Sequence, residues 1–161
     1  MVKNMAAFLG PKKLLAQYVA YLYNAILLLR LEFCLQTTLF SKSTVQSIVN
    51  LIFSVHRRKV GFAATTPLAL LFLKLPFSIQ HAFYQFLFSH IASWQKIFTH
   101  PDFKGFANYA ISYLQSYLNA ENCPTAINLE LWSQVVSLRT HTLFNSILFS
   151  SQINITWSLS F

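Results

Sequence analysis

Residues 103–119, with the sequence FKGFANYAISYLQSYLN, decide the fold class of this chain. The apolar side chains recur at three- and four-residue spacing, which is the period of an α-helix with one buried side. They are Phe103, Phe106, Ala107, Ala110, Ile111, Leu114 and Leu118. Residues 77–98 show the same spacing, from Ile79 and Phe83 to Trp94 and Phe98. The sequence therefore predicts a mainly α fold whose later helices are amphipathic.

The first half of the chain lacks such stripes. Residues 14–29 carry no charge and end at Arg30, with only Gln17 and Asn24 as strongly polar interruptions. At about 1.5 Å per residue they reach roughly 24 Å, less than the ~30 Å of a bilayer's hydrocarbon core. Three interpretations stay open for this run: an uncleaved membrane anchor, a buried helix of a globular core, or a cleaved secretory or organellar signal.

Two further apolar runs follow, at residues 45–55 and 60–73, and Pro67 lies inside the second. Proline breaks or kinks a helix, so residues 60–73 are expected to form two short pieces or one kinked membrane helix. Beyond Cys123–Pro124, Thr125 is placed to cap a helix that reaches about Phe149. Residues 153–161 alternate strictly between apolar and polar, which is typical of a half-buried strand.

These patterns together predict five to six helices and a short C-terminal strand-like segment. The length of 161 residues favours a single domain, residues 1–161. Within it, the pattern distinguishes an apolar part at 1–76, with early helices embedded in or associated with a membrane, from an amphipathic helical part at 77–150.

The composition is apolar and strongly basic. Hydrophobic residues make up 55 % of the chain and charged residues 10 %, against roughly 25 % charged in ordinary domains. Twelve Lys and Arg face four Asp and Glu, for a formal net charge of +8. A surplus of this sign attracts phosphate groups, on lipids or on nucleic acids.

The basic residues cluster at two places, which are the candidate membrane-flank or anion-contact sites. They are Lys12 and Lys13, and the run Arg57, Arg58 and Lys59 that follows His56. The run has three interpretations: a solvated connection between helices, a membrane flank, or a nucleic-acid contact or localisation signal. A single four-residue run is a small footprint for nucleic acid, so that partner is not favoured.

No pattern for catalysis, cofactor binding or metal binding emerges. The four carboxylates are scattered, and no two histidines have the i, i+4 spacing of a helical metal site. Three isolated glycines cannot form a phosphate-binding loop. Cys34 and Cys123 stand alone and predict reduced thiols. His90 falls near an apolar stripe and is expected to be a core histidine. We therefore expect no enzyme and no cofactor.

Three functions of different classes fit the pattern. The first is a small, basic, membrane-associated helical protein, located at a membrane whose identity the sequence does not specify. The second is the product of a weakly selected open reading frame without a defined biochemical function, since local preferences agree only in places. The third is a helical protein-interaction module that binds a protein partner through the amphipathic stripes at 79–98 and 103–119. Asn154-Ile155-Thr156 also matches the N-glycosylation pattern.

Overall fold

The computed structural model describes residues 1–158 and is mainly helical, as predicted; that range contains no strand. The α-helices are α1 (Val2–Leu9), α2 (Ala16–Leu22), α3 (Leu28–Cys34), α4 (Lys42–Val60), α5 (Ala82–Thr99), α6 (Lys104–Leu118) and α7 (Thr142–Ser151). A π-helical turn at Tyr23–Leu27 joins α2 to α3, so that residues 16–34 form one continuous helical segment. Short 3₁₀ turns lie at Leu68–Phe72, Pro101–Phe103, Pro124–Ala126, Leu129–Trp132 and Val136–Thr140.

The chain divides into two compact units. Unit 1 comprises Met1–Leu35 and Ser41–Gln85, and unit 2 comprises Gln36–Phe40 and the chain from Phe86 onward. The boundary falls inside α5, between Gln85 and Phe86. Whether both units unfold together as one domain stays a prediction.

Unit 1 is organised around α4. The side chain of Ser41 accepts a hydrogen bond from the Thr44 amide at 3.3 Å and caps the start of the helix. The buried side of α4 comprises Val45, Val49, Ile52, Phe53, Val55 and His56. Helices α1 and α2 both pack against α4, so the predicted apolar run 45–55 becomes the central helix of this unit.

Unit 2 buries the stripe that defines the fold class. From α6, Ala110, Ile111, Leu114 and Leu118 pack with Trp94 of α5 and with apolar side chains of α7. Helix α7 is fixed by Asn145, whose side-chain amide donates to the Leu39 carbonyl at 3.0 Å and to the Arg139 carbonyl at 2.7 Å. His90 is also buried, as its place on the α5 stripe predicts.

Several predicted boundaries are wrong. Residues 77–81 precede α5 rather than belonging to it. Val60 ends α4, and residues 61–73 form turns with one 3₁₀ segment after Pro67. The single helix predicted from Thr125 is replaced by three 3₁₀ turns before α7 begins at Thr142. In this region the Asn128 side chain accepts from the Glu130 amide at 3.0 Å. Asparagine favours such local turns over continued helix.

The predicted C-terminal strand is not supported where the structure describes it. Residues 152–154 form turns and 155–158 have no regular structure, while 159–161 lie outside the described residues. Trp157 instead turns inward, donating from Nε1 to the Ser150 hydroxyl at 2.6 Å and meeting the ring of Phe98 edge-on. An alternating pattern forms a strand only if a neighbouring strand pairs with it, and residues 1–158 provide none.

The predicted membrane-embedded early helices are likewise not supported. Among the helices of residues 1–158, none combines the length and the apolarity needed to cross a bilayer.

Candidate functional site

The helical segment 16–34 exposes a row of large apolar side chains, which we call the apolar face. They are between 40 % and 74 % exposed, and they are Leu15, Tyr18, Tyr21, Ile26, Leu29 and Phe33. Most are separated by three or four positions, or by twice that spacing, and so lie along one side of the segment. Single exposed apolar residues are common on protein surfaces, whereas a continuous row marks a surface that contacts something else.

The opposite side of this segment is buried in unit 1. Val19, Ala20, Tyr23, Leu27, Leu28 and Leu31 form this buried side. Asn24 also turns towards the unit, where its amide donates to the Ser78 carbonyl at 3.1 Å and its oxygen accepts from the Gln80 amide at 2.9 Å. Asn24, in the middle of the run, is therefore used internally, whereas Gln17 near the start of the segment and Arg30 near its end are exposed.

The structure brings the two predicted basic clusters together. Lys12 and Lys13 are exposed in the connection between α1 and α2, and Lys59 lies in the last turn of α4. The Lys59 Nζ donates a hydrogen bond to the Lys12 carbonyl. We call Lys12, Lys13, Arg58 and Lys59 the basic turn.

A glycine fixes the end of α4 and with it the position of the cations. Gly61 adopts a left-handed conformation, with φ at 85°. Its amide bonds to the Arg58 carbonyl at 3.1 Å, and the next amide, of Phe62, bonds to the Arg57 carbonyl at 3.0 Å. This is a Schellman motif, which satisfies carbonyls at the helix end through the backbone. The basic side chains of the last turn are therefore not needed to cap those carbonyls.

Arg57 and His56 do not belong to the exposed cluster. The Arg57 guanidinium is half-buried and donates to the Ala64 carbonyl. His56 is fully buried, and its Nε2 lies 2.7 Å from the Phe77 carbonyl oxygen, to which it donates. Burial lowers the pKa of His56, and this hydrogen bond opposes the shift in part. Of the three interpretations of this run, the connection between helices does not fit, because all four residues lie within α4.

The charge of the chain is concentrated in unit 1. Its sequence contains nine Lys and Arg and one acidic residue, Glu32, which gives a net charge of +8. Unit 2 contains three basic and three acidic residues, which gives zero. The apolar face and the basic turn therefore lie on the unit that carries the whole surplus.

Metal-ligating side chains do not converge in the part of the chain that the structure describes. No set of three His, Cys, Asp or Glu residues there could hold a metal ion. Cys34 and Cys123 are free thiols. Most of the stripe residues of α5 and α6, which the sequence suggests as partner-binding surfaces, are buried, whereas Phe103 and Phe106 are half-exposed.

Comparison with known proteins adds no relative. No protein-family model, curated protein or solved structure matches this chain. The features of the molecule that bear on function are therefore the apolar face, the basic turn and the charge of unit 1.

Sequence reasoning located the basic residues but missed the apolar face. The helical spacing places four of its residues on one side, so the apolar face could have been identified from the sequence. They are Leu15, Tyr18, Leu29 and Phe33. The other side of the run is equally apolar, however, and periodicity cannot choose between two apolar sides. His56 could have been placed inside, because it continues the stripe Val45, Val49 and Ile52 at helical spacing.

Proposed function

We propose that this protein binds the surface of anionic membranes through unit 1, as a binding protein rather than an enzyme. The observation that carries the proposal is the apolar face on a unit with a net charge of +8. Lipid headgroup regions accept both features, because apolar side chains enter the acyl boundary while cations meet the phosphates.

Exposure of the apolar face to water is costly. Removing a Leu or Phe side chain completely from water releases about 1.5–3 kcal/mol. Six large side chains that are about half exposed therefore represent on the order of 5 kcal/mol of unrealised burial. An occupant that covers them gains that free energy.

Charge distinguishes a membrane from a second copy of the chain. Dimerisation through the apolar face would bring two units of +8 together, and like charges repel. An anionic bilayer instead attracts each nearby Lys or Arg with about 1 kcal/mol. The same charges thus oppose self-association and favour lipid.

The geometry suits a helix that lies in the plane of the interface. From Leu15 to Phe33 the apolar face extends about 27 Å at 1.5 Å per residue. Lys12 and Lys13 precede its first residue, and Arg30 and Glu32 lie near its end. Cations at such flanks reach the headgroups while the apolar side chains enter the boundary region.

Vesicle sedimentation tests the proposal. The full chain is mixed with phosphatidylcholine vesicles containing about one third phosphatidylserine, and with phosphatidylcholine vesicles alone. We expect binding to the anionic vesicles, weakened at least about tenfold by Leu29→Gln combined with Phe33→Gln.

The matched control is Leu131→Gln combined with Val136→Gln in unit 2. These residues are 81 % and 75 % exposed, so the polarity change is comparable and the surface differs. The control should bind like the native chain. Equal loss in both variants, absence of vesicle binding, or a stable dimer dissociated only by the Leu29/Phe33 variant would each overturn the proposal.

A further inference from the structure

The basic turn collects cations from two distant parts of the chain. Lys12 and Lys13 belong to the α1–α2 connection, whereas Arg58 and Lys59 belong to α4. The hydrogen bond from Lys59 Nζ to the Lys12 carbonyl joins these segments. The attraction between cations and a helix carboxyl end explains only the α4 residues. It does not explain why Lys12 and Lys13 lie at the same end.

Most of the hydrogen-bond donors of the basic turn remain unused. The structure records no ion pair for Lys12, Lys13 or Arg58 within residues 1–158. The Lys12 ammonium lies 5.2 Å from the centroid of the Phe8 ring, a contact that consumes none of its N–H donors. Glu32, the one carboxylate of unit 1, is in α3, at the far end of the segment that Lys13 precedes. An external anion would supply the missing counter-charge.

From this we infer that the basic turn recognises a lipid headgroup carrying two or more closely spaced phosphates, such as an inositol bisphosphate. The inference rests on the proposed membrane function and names the lipid class. Arg58 offers a planar fork of donors that matches one phosphate bidentately. Lys12 and Lys13 are compact charges that can meet a second phosphate from the neighbouring segment.

A singly charged headgroup would leave part of this cluster unmatched. One phosphodiester neutralises one cation, whereas three exposed cations on two segments suit a ligand with several negative charges. The position of Lys13, two residues before Leu15, places the headgroup site at the edge of the apolar face. A bound headgroup would therefore lie at the level of the interface while the apolar face enters it.

Binding to charge-matched vesicles tests the inference. Phosphatidylcholine vesicles contain either phosphatidylserine or phosphatidylinositol bisphosphate, adjusted to equal total negative charge. We expect the native chain to bind the bisphosphate vesicles at least about tenfold more tightly. The Lys12→Gln/Lys13→Gln/Arg58→Gln variant should lose that preference and retain weaker binding to both.

A variant of equal charge separates a local site from general attraction. Lys3, Lys42 and Lys74 are also exposed in unit 1, and Lys3→Gln/Lys42→Gln/Lys74→Gln removes the same three charges. This variant should keep the preference. Equal binding of the native chain to both vesicle types, or equal loss of preference in both variants, would overturn the headgroup site and leave the membrane proposal standing.

Soluble inositol trisphosphate, titrated calorimetrically, separates lipid from free phosphate. Competition of the soluble ligand with the bisphosphate vesicles supports a headgroup site. Binding of the soluble ligand by a chain that binds no vesicles would overturn the lipid source and the membrane proposal together.

Discussion

Unit 1 and unit 2 both bury helices of similar apolarity, but they differ in net charge and in the pairing of their buried polar side chains. Unit 2 balances its charges and pairs its buried polar side chains, as Asn145 and Ser150 show. Unit 1 carries all of the net charge and leaves a continuous apolar face outside. Unit 2 also exposes large side chains, among them the rings of Phe106, Tyr109 and Tyr113 on α6. The two units therefore differ in net charge, which is concentrated on unit 1, rather than in whether they expose apolar groups.

The interiors of the two units differ in how completely their buried polar atoms are hydrogen-bonded. Among residues 1–158, four buried polar side-chain atoms lack a hydrogen-bond partner, and all belong to unit 1: Tyr23 Oη, His56 Nδ1, Arg57 Nε and His81 Nδ1. A buried group of this kind costs about 1–3 kcal/mol. Both the unpaired polar atoms inside unit 1 and the exposed apolar face on its surface therefore lower its stability.

The largest effect is expected from the core of unit 2. Phe144 is fully buried in the α6–α7 core, so Phe144→Ala should lower the free energy of unfolding by about 3–5 kcal/mol. The measurement is urea unfolding followed by tryptophan fluorescence, because Trp94, Trp132 and Trp157 all belong to unit 2. Phe33→Ala, on the apolar face, is the control and should change little.

The same experiment addresses the other two sequence-based hypotheses. A weakly selected, poorly specified chain would unfold gradually, with no sharp transition for Phe144→Ala to displace. Coincident transitions by fluorescence and far-ultraviolet circular dichroism would indicate one cooperative domain. Separate transitions would show that the units unfold independently.

An effect of intermediate size is expected from acidification. Burial lowers the pKa of His56 and of His81 in unit 1, with Lys42 contributing at His81. A histidine whose folded pKa is lowered binds protons preferentially when unfolded. Stability should therefore be complete above about pH 6.5, the unfolded value, and fall as the pH decreases below it.

Unfolding midpoints at about pH 7.5 and 5.0, measured by circular dichroism, check this dependence. His56→Gln keeps a donor for the Phe77 carbonyl and should reduce the loss at the lower pH. His141 of unit 2 also has a pKa lowered by burial, so some loss should remain. If the pH dependence of stability were undiminished in His56→Gln, groups other than His56 would be its cause.

The smallest effect has the opposite sign. Tyr23 is fully buried with an unpaired hydroxyl, and burial raises its pKa. Tyr23→Phe removes that hydroxyl and keeps the ring contact with Phe53, whose centroid lies 5.8 Å away. The free energy of unfolding should rise by about 1 kcal/mol. Tyr109→Phe, with an exposed ring, should be neutral; a destabilised Tyr23→Phe would show that the hydroxyl is satisfied in solution.

Helix α6 of unit 2 was predictable because its apolar stripe can be buried in only one orientation. Leu114 and Leu118 can be buried only if Gln115 and Asn119 are not, so the period alone orients α6. Asn119 also ends that helix in the left-handed conformation, with φ at 50°, which asparagine tolerates better than most residues. The pattern and the burial agree from Ala107 to Leu118, where α6 is buried as predicted.

The orientation of residues 16–34 was not predictable, because distant contacts decide it. Asn24 forms hydrogen bonds with the backbone of Ser78 and Gln80. Because these partners lie more than fifty positions along the chain, the sequence around Asn24 does not predict them. The basic turn was missed as a unit for the same reason. Lys12 and Lys59 are both conspicuous in the sequence, but only the packing of α1 and α2 on α4 makes them neighbours.

The left-handed residue at the end of α4 also sets a rotational phase. Successive helix positions differ by about 100°, so His56 and Arg58 point roughly 200° apart, one into the unit and the other outward. A one-residue insertion before His56 would advance both by about 100° while Gly61 still ended the helix. His56 would then leave the core and Arg58 would leave its surface position at the same time. The last two turns of α4 thus couple the direction of the Arg58 charge at the surface to the packing of the His56 ring in the interior.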